Sequence, residues 1–332
     1  MRAVVFDQFG PFENARVGDI PRPTAGANEI VIEVHAAPVN YVDLVVVAGK
    51  YQFCPPLPFT PGKGPAGVIV EIGAGVDKFK PGDRVLAMAE VGGYAEYAKA
   101  AAKDCYRMPD TLSFSHAGAL SLAYDTAYFA LTDRGRLQKG ETVLVLGSTG
   151  AVGRACMQIA RAMGARVIAA ISSPSRADAA YAGGADHVVN LAADDLRENL
   201  RKEVFALTDG QGADVIIDML GGDIFDAAIR AVAWRGRVVI VGFAAGRIPS
   251  VKVNYLMLKN MEVSGLQISD YRKRRPDMLR DCYSHLFSMY EHGLIDPGGV
   301  VEMPLSRFAE AMRMVEQRST LDRVILTPHR GE

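Results

Sequence analysis

The run Leu144-Val145-Leu146-Gly147-Ser148-Thr149-Gly150-Ala151-Val152-Gly153 is the part of the chain best suited to chemistry. A compact apolar strand, Thr142–Leu146, opens into a glycine-rich turn, and an amphipathic helix over Val152–Met163 follows. That order offers helix N–H groups and the positive end of a helix dipole to an anion, as the pyrophosphate of a dinucleotide requires. Gly150 permits close backbone approach to the phosphates, and Gly153 lets the helix pack tightly on the strand. Ser148 stands where the common fingerprint has its first glycine, so the pattern is a variant. Ser148, Thr149, Gly150, Ala151, Val152 and Gly153 form the candidate phosphate loop.

The next strand, Arg166–Ile171, runs into Ser172-Ser173-Pro174-Ser175-Arg176. A domain that prefers NADH places Asp or Glu at this point for the ribose hydroxyls. Here the hydroxyls of Ser172 and Ser173 and the guanidinium of Arg176 suit a 2′-phosphate, and the expected cofactor is NADPH. The same residues also make an ordinary helix start with Ser173 as cap. Both readings hold together.

These residues need a scaffold. From about residue 115 helices alternate with apolar strands: a helix over Ser115–Leu131, then strands at Arg166–Ile171, His187–Asn190, Val215–Asp218 and Arg237–Val241. Strands apolar throughout are buried on both faces, as in a parallel sheet wrapped by helices. The first third differs. Glu29–His35 alternates, with Ile30, Ile32 and Val34 on one side, and Val68–Ile72, Val85–Met88 and Tyr94–Tyr97 are further short strands. Gly73-Ala74-Gly75 and Pro81-Gly82-Asp83 supply turns between them, which predicts a small barrel or sandwich. Past Ser264 the elements are mixed, with a helix over Met278–His292 and a last strand Val324–Leu326.

The 332 residues correspond to about two domains at roughly 150 residues each. Thirty-seven basic against 38 acidic residues leave a formal charge of −1, so no general basic field is available for nucleic acid. A hydrophobic fraction of 49% with 23% charged residues fits a globular protein with a core. No apolar stretch is long enough to cross a bilayer, and the early Asp7 argues against a signal peptide. A cytoplasmic protein is expected. The cysteines, Cys54, Cys105, Cys156 and Cys282, form no CxxC pair and have no His at ligand spacing, so no metal and no disulfide framework is expected. The six histidines form no ligand or triad spacing.

Several further segments, taken in order, resemble the zinc-independent branch of the medium-chain dehydrogenase/reductase superfamily, specifically the zeta-crystallin type of quinone oxidoreductase. They are Pro38-Val39-Asn40-Tyr41-Val42-Asp43, Pro58-Phe59-Thr60-Pro61-Gly62, Pro81-Gly82-Asp83-Arg84-Val85, Tyr124-Asp125-Thr126-Ala127, Gly140-Glu141-Thr142-Val143-Leu144-Val145 and Gly183-Gly184-Ala185-Asp186. The similarity covers nearly the whole chain. Zinc-dependent relatives carry a catalytic Cys at the position of Asn40 and a Gly-His-Glu segment at Gly62-Lys63-Gly64. Both ligand types are missing here, as is the four-cysteine lobe, so the resemblance implies a zinc-free protein.

The resemblance implies an α/β fold: a Rossmann doubly wound parallel sheet over 119–264, and a GroES-like β-rich catalytic domain over 1–118 completed by 265–332. It places the active cleft at their junction. It puts Asn40 beside the nicotinamide, Thr126 on the cofactor, Tyr51 in the substrate cleft and Arg318 on the 2′-phosphate. Gly242-Phe243-Ala244 and Leu266 follow strands whose carboxyl ends would border the nicotinamide. Two positions depart from the family: Val45 replaces a second cleft tyrosine, and Leu191 replaces a tyrosine that helps hold the 2′-phosphate.

Without a metal to polarise a carbonyl, the acceptor must already be electrophilic. A quinone or enone meets that condition, and NADPH-dependent reduction of quinones or related conjugated carbonyls is the expected activity. The alternatives are reduction of an enoyl or acryloyl thioester or an acrylate, and an NADPH-binding protein of little turnover with a structural or RNA-binding role. The basic run Tyr271-Arg272-Lys273-Arg274-Arg275 admits a solvated helix approach, RNA, or the phosphates of a CoA ester. Nucleic-acid and membrane partners are not expected. A homodimer is, formed by edge strands of the nucleotide domain with Met261-Glu262-Val263-Ser264-Gly265 as the edge.

Overall fold

The structure, a computed structural model, describes residues 1–329. By contact the chain divides into two compact units. One holds Met1–Leu122, Arg275–Glu291 and the chain from Pro297 on; the other holds Ala123–Arg274 and His292–Asp296. The expected divisions at 118/119 and 264/265 fall several residues from these. Residues 265–274 cluster with the second unit because Arg272 pairs with Asp125, and Tyr271 packs on Phe129 and bonds Asp133.

Strands β1 (Arg2–Val5), β2 (Arg16–Asp19), β3 (Glu29–Pro38), β4 (Ala66–Ile72), β5 (Arg84–Ala87), β6 (Tyr97–Ala101) and β7 (Cys105–Arg107) precede the second unit. Within it are β8 (Thr142–Leu146), β9 (Arg166–Ile171), β10 (His187–Asn190), β11 (Ala213–Asp218), β12 (Val232–Ile240) and β13 (Glu262–Gly265). After it come β14 (Val300–Pro304) and β15 (Arg323–Thr327). The helices that matter to the site are α1 (Tyr41–Val47), α2 (Phe114–Leu120), α3 (Ala123–Phe129) and α4 (Ala151–Ala162).

In the first unit β3 is the hub. It pairs antiparallel with β4 and β6, and its last residues pair with β15, Ile325 opposite Pro38 and Leu326 opposite Ala37. Ile30, Ile32 and Val34 enter the main core as their alternation requires. The strand extends beyond that alternation because Ala36 is buried on its other side in a small cluster with Ala119 and Ile325. Tyr94–Tyr97 is not a continuous strand. Tyr94 bonds Pro61, Glu96 bonds Arg2, and Val34 bonds Glu96, so the backbone is shared among different neighbours until β6 begins at Tyr97.

The helix expected over Ser115–Leu131 is two helices, α2 and α3. Leu122 takes a φ of 56°, a left-handed conformation through which a right-handed helix cannot run. A π-helical turn, Ala130–Arg134, follows α3.

The second unit is built on an all-parallel sheet of order β10-β9-β8-β11-β12-β13. Chain progress goes outward from β8 to β10, then restarts beside β8 at β11. That reversal is the doubly wound pattern, and it creates a crevice at the carboxyl ends of β8 and β11. All five residues of β8 are buried, as a central strand demands. Among the described residues no helix is long and apolar enough to cross a membrane.

Candidate active site

The β8–α4 turn has the features that its sequence suggested, with one exception. Gly153 packs so tightly that a Cβ there would meet Gly147 O at 2.3 Å and Ser148 Cα at 2.6 Å. Gly150, the N-cap of α4, is exposed, and a Cβ there would meet only Gly147 O, at 3.4 Å. One glycine is needed by the fold; the other leaves open space above the helix end. The first-turn N–H groups of Ala151, Val152 and Gly153 have no intrahelical acceptor, as at any helix start. Ser148 is the exception. It is fully buried and donates its hydroxyl to Ala170 O at 3.1 Å, so its side chain fastens the turn to β9 instead of facing a ligand.

Beyond β9, Ser172 is exposed, and Ser173 caps a short 3-10 turn with its hydroxyl 2.8 Å from that of Ser175. Arg176, at the end of that turn, reaches back so that Nη1 is 3.5 Å from Thr149 Oγ1. A guanidinium thus stands at the phosphate loop, and no carboxylate occupies Ser172–Arg176. Leu191 is buried with its N–H on Ile171 O, where it offers no hydroxyl.

Asp218 closes β11 at the crevice. Its Oδ1 accepts the N–H groups of Leu220 at 2.8 Å and Gly221 at 2.9 Å, while burial raises its carboxyl above the usual range. Gly242 follows β12 with its N–H on Asp218 O; Phe243 is exposed, Ala244 half-buried, and Leu266 half-buried with its N–H on Ile240 O. Thr126, on α3, is buried with Oγ1 3.4 Å from Asp125 Oδ1. Asp125 in turn forms a 2.6 Å ion pair with Arg272, both buried.

The basic run 271–275 is therefore not a free cationic patch. Arg272 pairs with Asp125, Arg274 with Asp270 at 2.8 Å and Arg275 with Asp277 at 2.8 Å. Sequence alone cannot show this, because Asp125 is 147 residues from Arg272.

The first unit holds a second polar cluster, around the start of α1. Asn40 precedes that helix, and its N–H donates to Asp43 Oδ2 at 2.9 Å. Arg323 Nη2 donates to Asn40 Oδ1 at 2.7 Å, while Asn40 Nδ2 faces the carbonyls of Pro38 and Lys63, each at 3.4 Å. Asp43 is buried and accepts the Tyr94 hydroxyl at 3.1 Å. Burial pushes its carboxyl up to about 6, against the opposing pull of the Asn40 N–H, Lys63 and Tyr94. Burial, and then the Asp43 carboxylate, raise the Tyr94 phenol well above its ordinary range.

Lys63 is buried and ion-paired with the half-exposed Glu90, and its Nζ is 5.3 Å from the centroid of the Tyr51 ring. Tyr51 packs on the core beside Phe53, edge to face at 6.2 Å. The half-buried Val45 accepts the Lys50 N–H on its carbonyl. Arg318 is exposed in a left-handed conformation after residues 308–316, its N–H on Val315 O.

Lys63, Glu90 and Arg323 escaped sequence reasoning. The available signal was a lone lysine between two glycines in Pro58–Ala66, a segment with no other charge. Its neighbours Tyr51 and Glu90 lie outside the regular elements, and their approach could not be read from spacing.

The comparisons with known proteins agree with this architecture. Residues 26–110 match the alcohol dehydrogenase GroES-like domain, and residues 151–283 match the family described as zinc-binding dehydrogenase. A metal does not suit the cluster at Asn40, whose amide oxygen already faces the Arg323 guanidinium and whose amide nitrogen faces two backbone carbonyls. Among the described residues no group of three His, Cys, Asp or Glu side chains could hold a metal ion.

Quinone oxidoreductase-like protein 2 of Rattus norvegicus is 37% identical over 92% of this chain and 87% of its own length. The quinone oxidoreductase of Mus musculus is 35% identical over 94% of this chain and 92% of its own. A quinone oxidoreductase of Escherichia coli complexed with NADPH superposes with a TM-score of 0.90 at 27% identity, covering 99% of this chain and 100% of that one. Parallel dinucleotide sheet, β-rich companion unit and relatives along nearly the full length lead to one assignment: the chain belongs to the quinone oxidoreductase family of the medium-chain dehydrogenases/reductases.

Proposed function

We propose that this chain transfers a hydride from NADPH to quinones or closely related conjugated carbonyls without the aid of a metal. The observation that carries the NADPH preference is the Arg176 guanidinium 3.5 Å from Thr149 Oγ1, with no carboxylate after β9. A guanidinium and nearby hydroxyls give a 2′-phosphate charge-assisted bonds, whereas a carboxylate would repel it.

The roles of the residues follow. N–H groups of Ala151, Val152 and Gly153, with Thr149 and the open Gly150, take the pyrophosphate. Arg176, Ser172 and Ser173 take the 2′-phosphate, with Arg318 as a second cation. Thr126, Gly242, Phe243, Ala244 and Leu266 border the nicotinamide, and Ser148 serves only to hold the loop. Bound NADPH supplies the hydride. Asn40 and Tyr51 orient the reacting groups, and a conjugated acceptor needs no Lewis acid because its π electrons can move onto oxygen.

The test is loss of dihydronicotinamide absorbance with a benzoquinone, phenanthrenequinone, an enone and crotonyl- or acryloyl-CoA, each with NADPH and with NADH. Turnover of the quinones with NADPH is expected. Turnover confined to the thioesters would replace the substrate class, and NADPH binding with no oxidation by any acceptor would leave a nucleotide-binding protein without this activity. We also propose a homodimer through β13, the edge of the parallel sheet, where Val253, Met257 and Leu258 are exposed nearby in sequence.

A further inference from the structure

We propose that Lys63 forms an oxyanion subsite: its ammonium receives a substrate oxygen that becomes negatively charged, the carbonyl oxygen of a quinone or enone. This rests on the reading of the chain as a reductase of conjugated carbonyls, and it names the group that would meet the acceptor's charge.

The Lys63 side chain is only 5% exposed. Lysine is almost never so buried unless it is paired, and an ammonium carries three donors. Among the described residues the acceptor that Nζ meets is Glu90, whose side chain is 38% exposed. One half-exposed carboxylate offsets little of the cost of withdrawing an ammonium from water. A purely structural role is therefore a poor account of this lysine.

The backbone is arranged to keep it there. Gly62 and Gly64 flank it at φ of 101° and 68°, and a Cβ on Gly62 would strike the Tyr94 ring at 2.3 Å. The Lys63 carbonyl faces Asn40 Nδ2, and the ammonium stands 5.3 Å from the centroid of the Tyr51 ring. That aromatic face and an ammonium with two uncommitted donors suit a flat conjugated ligand that carries an oxygen.

When a hydride adds to such an acceptor, the incoming pair forms the new C–H bond and the π pair moves to the carbonyl oxygen. The oxygen becomes a phenolate or enolate, and the product then takes one proton from water. Lys63 donates a hydrogen bond to the developing charge, which stabilises the charged state more than the neutral one.

4-Nitrophenol tests this directly, because its ring oxygen ionises with a change of colour. Its apparent pKa when bound is measured on the full chain, alone and with NADP+, for wild type, Lys63→Met, Lys63→Arg and Glu90→Gln. Wild type is expected to bind the phenolate about tenfold more tightly than the phenol, a shift of roughly one unit. Lys63→Met should abolish the preference, Lys63→Arg should restore part of it, and Glu90→Gln should strengthen it by replacing a charged competing acceptor with a neutral one. A merely structural ion pair predicts no strengthening in Glu90→Gln, so the proposal survives a Lys63→Met protein that fails to fold. No binding, equal binding of both forms by wild type, or an unchanged preference in Lys63→Met overturns it. A phenolate preference in a protein that reduces none of the quinones or enones would sink the hydride-transfer reading and leave this subsite standing.

Discussion

Arg323 Nη2 holds Asn40 Oδ1 at 2.7 Å although 283 residues separate them. A guanidinium can only donate, so the amide oxygen must face it and the amide nitrogen must face the other way. The orientation of Asn40 is thus set by the last strand of the chain. Arg323→Met is expected to lower kcat about tenfold, the equivalent of ~1.4 kcal/mol, while the KM for NADPH stays unchanged. Arg323→Lys should recover part of the loss. Steady-state kinetics of the variants decide it, and a pure KM effect would exclude the positioning role.

Arg176→Asp places a carboxylate where Arg176 now meets Thr149. Reversing a charge beside a bound phosphate should raise the KM for NADPH about a hundredfold, roughly 3 kcal/mol. NADH, which lacks that phosphate, should change little. Equal losses with both cofactors would remove the 2′-phosphate assignment.

Gly150 and Gly153 should separate binding from folding. A Cβ on Gly153 meets backbone at 2.3 and 2.6 Å, and such overpacking costs about 1–3 kcal/mol, so Gly153→Ala should melt several degrees lower. Gly150→Ala has room within the protein, its nearest contact being 3.4 Å, and should melt as wild type does. Its added methyl group occupies the space assigned to the pyrophosphate. Melting curves with and without NADPH should therefore show Gly150→Ala folded but with little stabilisation by cofactor.

Much of the parallel sheet was legible because central strands are apolar on both faces, and Arg166–Ile171 and His187–Asn190 match the expected bounds. Thr142–Leu146 and the helix after it declared the glycine-rich turn in the same way. Features set by one backbone angle were not legible. Nothing local in Ser121-Leu122 announces the left-handed residue that splits the helix. Nor were pairings across the fold. Arg272 read as part of a charged run until Asp125 was found beside it, and Lys63 read only as a missing ligand until Glu90 and Tyr51 met it. Ser148 joined the candidate loop by its position alone, and nothing local announces that its hydroxyl points inward to Ala170 O.

Asp43 gives a pH dependence of unusual sign. Its folded-state carboxyl is pushed up to about 6 from 3.8, so the folded protein retains a proton that the unfolded chain has released. Its contribution is full below pH 4, and it is lost as pH rises from about 4 to 6, by roughly 3 kcal/mol. Asp43→Asn cannot ionise and should lack this component. Denaturation midpoints of both proteins across that interval measure it; parallel curves would show that the carboxyl ionises normally.

The edge strand β13 offers unpaired backbone, and Val253 and Met257 are 76% and 71% exposed. Exposed apolar groups and an open strand edge are each surfaces that other chains can cover. Val253→Asp combined with Met257→Asp is expected to turn a dimer into a monomer in analytical ultracentrifugation without lowering the melting temperature. A monomeric wild type would contradict the dimer proposal.

The pairing of β15 with β3 also sets an order on synthesis, because the residue that anchors Asn40 lies on the later strand. β3 leaves the ribosome well before its partner, at Ile325 and Leu326. The parallel sheet, complete by Gly265, has all its strands long before that and can fold while translation continues. A nascent chain paused short of Arg323 would carry a finished nucleotide fold and an unanchored Asn40. The anchoring of Asn40 is then withheld until Arg323 has been made, 283 residues later.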